Sequence, residues 1–79
     1  MYFVYSIQSI HNPDRYYVDL PLDVERRLAE HNFGKSIHTN KFRPWALVSY
    51  TAFIDKSKAE KFEAYLKTSS GRAFSKKRL

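Results

Sequence analysis

Seventy-nine residues suffice for one domain with one modest core and leave no room for a second domain with a core of its own. With no cysteine, a disulfide framework, a cysteine-ligated zinc and thiol chemistry are excluded; packing must stabilise the chain, and six Tyr, six Phe and one Trp supply the area. Fourteen Lys and Arg against eight Asp and Glu, a formal charge of +6, favour a polyanionic partner, with nucleic acid the first candidate.

Residues 2–10 are rich in Tyr, Phe, Val and Ile and read as a strand, closed by the turn chemistry of His11, Asn12, Pro13 and Asp14. Residues 15–20 form a second strand, and the short connection predicts an antiparallel hairpin that sets Tyr5 and Tyr17 on neighbouring strands. Pro21 ends that strand. Asp23 then suits a helix start, Val24 and Leu28 fall at helical spacing, and Gly34 fits a left-handed stop, which predicts a helix over 23–32. Residues 35–43 are polar and basic and read as a loop, and residues 45–53 as a third strand.

A helix over 55–67 follows from Ala59, Phe62 and Leu66, which make one apolar stripe and leave Lys58 and Lys61 outside. Thr68 to Gly71 reads as a Ser and Gly break before a short final helix over 72–78. The expectation is an α+β fold, a three-stranded antiparallel sheet flanked by helices, in a single domain over 1–79. No apolar stretch approaches the roughly 20 residues of a membrane span, and Met1 runs straight into strand-like sequence, so the chain reads as soluble and cytosolic with no membrane partner.

Taken singly, the polar residues have plain readings. Tyr5 and Tyr17 suit a cross-strand aromatic pair, Arg27 and His31 one turn apart suit a solvated helix face, and Glu63 suits a surface ion pair with Lys67. A zinc site would need His11, His31 and His38 to converge from distant segments, and loop polarity accounts for His38 more simply. The tail from Lys67 to Leu79 carries Lys67, Arg72, Lys76, Lys77 and Arg78 with no acid, a composition that serves solubility or approach to phosphate equally.

As a set, these residues carry more. The runs "YFVYSI", "RYYVDLPLDVERRLAEHNFGKSIHT", "RPWALVSYTAF" and "AEKFEAYLKTSSGRAFSKKRL" resemble, in order and near-spacing over almost the whole chain, the small stand-alone GIY-YIG domain proteins, relatives of the nuclease module of bacterial excinucleases. The resemblance implies a metal-dependent DNA endonuclease that hydrolyses phosphodiester bonds in the backbone. "FVY" stands where the first motif ends in tyrosine, giving Tyr5, and "YVD" where the second begins with it, giving Tyr17. The first helix supplies Arg27 and His31, and the second supplies Glu63 as the ligand of Mg2+ or Mn2+.

Such a set matches the needs of the reaction: an attacking water must lose a proton while charge on the phosphoryl oxygens is neutralised. Tyr5 is then the candidate general base, helped by cationic charge because an unperturbed phenol has a pKa of about 10. Arg27 and His31 address the phosphate, and Glu63 offers hard oxygen to a cation that keeps most of its waters.

The chain departs from the family at Asp19, which replaces the second motif's glycine and adds bulk and charge beside the expected phosphate position. Pro21 and Leu22 stand where relatives often have small hydroxyl residues, Phe3 replaces a variable glycine, and no asparagine clearly closes the site after Glu63. Two readings follow. One is an active endonuclease, with Asp19 repelling phosphate or serving as a second metal ligand. The other is a catalytically impaired nucleic-acid-binding module on the same fold.

Overall fold

The computed structural model describes residues 1–79 as β1 (Tyr2–Ser9), β2 (Tyr16–Asp19), α1 (Val24–Asn32), α2 (Ile37–Asn40), β3 (Trp45–Phe53), α3 (Lys56–Leu66) and α4 (Ser69–Arg78). The three strands form one antiparallel sheet in the order β2-β1-β3, so β1 is central and the short β2 is an edge. No helix is long and apolar enough to cross a membrane.

Local chemistry sets the boundaries. The turn after β1 is held by the Arg15 N–H donating to the Asn12 carbonyl at 2.8 Å and the Asn12 N–H donating to Ser9 Oγ at 3.1 Å. Asp23 caps α1 by accepting from the Arg26 N–H at 3.1 Å, and Asp55 caps α3 by accepting from the Ser57 N–H at 2.8 Å. After α1, Gly34 takes a φ of 75°, a conformation that costs glycine little.

Residues 35–43 depart from the expected loop, since Ile37–Asn40 form the short helix α2. Long-range bonds stabilise it: Trp45 Nε1 donates to the Thr39 carbonyl at 2.9 Å, and the Thr39 side chain is buried. The final helix also starts earlier than 72. Thr68 Oγ1 accepts from the Gly71 N–H at 3.0 Å and caps α4, so the Ser and Gly stretch lies inside the helix.

Consecutive strand residues face opposite sides of a sheet, and the two sides here hold separate cores. Val4 packs against Ala59 and Leu66 of α3, with Phe53, Phe62 and Phe74 around them. Tyr5, Ile7 and Trp45 form the second core, under Val24 and Leu28 of α1. The sheet is therefore the middle layer, with α1 and α2 on one side and α3 and α4 on the other.

Candidate functional site

The antiparallel register places Asp19 directly across from Tyr5 and Tyr17 across from Ile7, so Tyr5, Tyr17 and Asp19 share the face under α1. Val24 and Leu28 seat α1 on that face, and the 3.6-residue period then turns Arg27 and His31 toward the same tyrosines. The His31 ring lies edge-on to Tyr17, with centroids 5.1 Å apart, and 6.2 Å from the Tyr5 ring. Four of the five expected site residues thus meet on one side of the sheet.

The patch is less open than a solvated helix face would be. Tyr5 and His31 are fully buried. His31 Nδ1 is within hydrogen-bond distance of Thr39 Oγ1, a buried partner that α2 brings into place, while His31 Nε2 and the Tyr5 hydroxyl have no hydrogen-bond partner among the protein atoms. Burial, and then the Arg27 charge, hold the imidazole below its usual pKa.

Arg27 is bonded to two carboxylates. Its Nε donates to Asp19 Oδ2 at 2.9 Å and its Nη1 to Glu30 Oε1 at 3.1 Å, while Asp19 Oδ1 accepts from the Leu20 N–H at 2.8 Å. The Asp19 hydrogen bond raises the guanidinium pKa still further above its ordinary value. Tyr5 experiences the reverse of what a general base requires: burial first, and the Asp19 carboxylate second, push the phenol well above its ordinary range, and Arg27 only partly opposes them.

Glu63 stands apart. Its helix covers the opposite face through Ala59 and Leu66, and no hydrogen bond or ion pair joins it to the other four. Its carboxylate is 3.5 Å from Lys67 Nζ, as the one-turn spacing predicted. No three His, Asp or Glu side chains cluster in the fold. The carboxylates at the Arg27 cluster, Asp19 and Glu30, are both bonded to the arginine.

Sequence reasoning missed Glu30 and Thr39. Glu30 carried a signal, since it follows Arg27 by three residues on one helix. Thr39 carried none, because its position depends on α2. A family model described as the GIY-YIG catalytic domain matches residues 1–78. Neither the curated proteins nor the solved structures give a significant match.

Proposed function

Because the chain belongs to the GIY-YIG catalytic-domain family, a nuclease-type fold whose substrates are nucleic acids, we propose that it binds the DNA phosphate backbone and that Asp19 restrains its hydrolytic site. The reading rests on one contact, the 2.9 Å bond between Asp19 Oδ2 and Arg27 Nε. A phosphoryl oxygen seeking the Nε edge of that guanidinium has to displace a carboxylate that is already in place and covalently tethered nearby. It also meets the repulsion of that carboxylate, up to roughly 4 kcal/mol for unit charges about 4 Å apart at an effective dielectric of 20.

Asp19 acts twice in this reading. It neutralises the charge that would stabilise the pentacovalent phosphoryl group, and it holds the Tyr5 proton in place, which disfavours the phenol as a base for water. Tyr17 and His31 supply the packed wall against which a phosphate and its attacking water would be oriented. Magnesium or manganese, when bound with substrate, would contribute Lewis-acid stabilisation and an activated water. Glu63 is the carboxylate that would hold it, with water and substrate oxygens as the other ligands.

The decisive comparison is Asp19→Gly against the wild-type chain, with binding measured at low salt and cleavage of supercoiled DNA measured with manganese. We expect Asp19→Gly to tighten binding by tenfold or more and to raise cleavage above a low wild-type level. Vigorous wild-type cleavage lost in Asp19→Gly would instead make Asp19 a metal ligand of an active endonuclease. No change in either measurement would remove Asp19 from the site.

A further inference from the structure

On the other side of β2 from the Arg27 cluster lies a groove of about 550 Å³, walled by β2 and its preceding turn, the C-terminal end of α3, and α4. Four cations line it, Arg15, Lys67, Arg72 and Lys76, against the single acid Asp14. Only Lys67 has an ionic partner in the fold, Glu63, while Arg15, Arg72 and Lys76 pair with no carboxylate. Arg72 and Lys76 are one turn apart on α4, so they present two charges along one line.

One exposed aromatic completes the groove. Tyr16 is 46% exposed on the open edge strand, and its hydroxyl accepts from Gln8 Nε2 at 3.1 Å, which holds the ring in one orientation. Tyr17 is among the β2 residues along the groove, while its ring packs on His31 on the other face of the sheet. Cations that neutralise a backbone, next to a fixed aromatic face on which a base can stack, are the two components of single-strand recognition.

We propose that this groove is a binding track for single-stranded nucleic acid, with Arg72 and Lys76 on phosphates and Tyr16 under a base. The proposal rests on the nucleic-acid reading above and specifies the strand form and the residues that hold it.

Its test is fluorescence anisotropy of a short labelled oligothymidylate with the full chain, titrated at low and at physiological salt. We expect the charge-reversed variant R72E/K76E to bind roughly tenfold or more weakly and to flatten the salt dependence by about 1.4 in log–log slope, ~0.7 for each lost phosphate contact. Tyr16→Ala should weaken binding by about fivefold or more while Tyr16→Phe retains it, since stacking needs the ring. Thermal melts of each variant confirm that the fold is kept.

Wild-type binding that R72E/K76E leaves unchanged would overturn the groove and spare the nucleic-acid reading. A wild-type chain that binds no nucleic acid would overturn both. A duplex of the same length bound as tightly as the single strand would overturn the strand form, and polyaspartate competing as well as the oligonucleotide would reassign the groove to acidic protein.

Discussion

Under α3 and α4 the sheet buries hydrocarbon and aromatic rings: Val4, Ala59 and Leu66, ringed by Phe53, Phe62 and Phe74. Under α1 and α2 the same sheet buries Ile7 and Trp45 together with a tyrosine, an imidazole and a threonine, with Asp19 and Arg27 half-buried beside them. A buried polar group without a partner costs about 1–3 kcal/mol, and the Tyr5 hydroxyl and His31 Nε2 are two such groups among the protein atoms. The α3 side therefore supplies stability that the α1 side gives up. That division is the expected one where a site's chemistry and the stability of its scaffold compete.

The largest effect should come from breaking the apolar side alone. Gly71 is buried where α4 crosses the end of α3, and a Cβ there would collide with the Tyr65 carbonyl. That carbonyl cannot easily retreat, because it accepts from the Thr68 N–H at 3.0 Å and from Thr68 Oγ1 at 2.6 Å. Gly71→Ala should cost about 3 kcal/mol, read from the urea midpoint, and should undock α4. With α4 displaced, oligothymidylate binding should fall while the Tyr17–His31 contact persists in nuclear Overhauser spectra. Loss of that contact as well would mean that the two sides fold as one unit and that the comparison fails.

The apolar side was also the more legible in sequence. The Ala59, Phe62 and Leu66 stripe and the Asp55 cap are local patterns, and a helix there needs little else. Gly71 was misread as a break because glycine disfavours helices, whereas here it permits two helices to cross closely. On the polar side, the meeting of Tyr5, Tyr17, Arg27 and His31 was legible only through the family resemblance. Helical spacing alone put His31 on a solvated face; its burial depends on α2, which is held by the bond from Trp45 Nε1 to the Thr39 carbonyl six residues away. Asp19 was visible as an intruder at a glycine position. Its partnership with Arg27, eight residues along, depends on how the hairpin meets α1, which no local pattern encodes.

A smaller effect distinguishes the sides by pH. Burial depresses the folded His31 pKa below its ordinary 6.5, so between the two values the unfolded chain binds more protons than the folded one. Stability must then fall as pH drops below about 6.5, until folded His31 itself takes up the proton. Thermal midpoints should decline over this acidic window in the wild-type chain. His31→Gln, a neutral side chain that can still reach Thr39, should flatten the decline, and an unchanged slope would locate the proton uptake elsewhere.

The smallest effect on stability, and the most telling for the comparison, is expected of Tyr5→Phe. On an apolar face, removing an atom from a buried side chain destabilises by the lost packing. At Tyr5 the atom removed is a hydroxyl with no protein partner, and folding has stripped it of solvent. Losing it should therefore leave stability unchanged or raise it by up to about 1 kcal/mol, measured as a shift in urea midpoint at constant slope. The Asp19→Gly background then separates structure from chemistry. If the Tyr5 hydroxyl moves the proton in hydrolysis, Tyr5→Phe should abolish the cleavage gained by Asp19→Gly without lowering the midpoint. A midpoint lowered by more than about 1 kcal/mol would show that the hydroxyl is satisfied in solution, through ordered water or a ligand, and that the α1 side concedes less stability than its protein contacts imply.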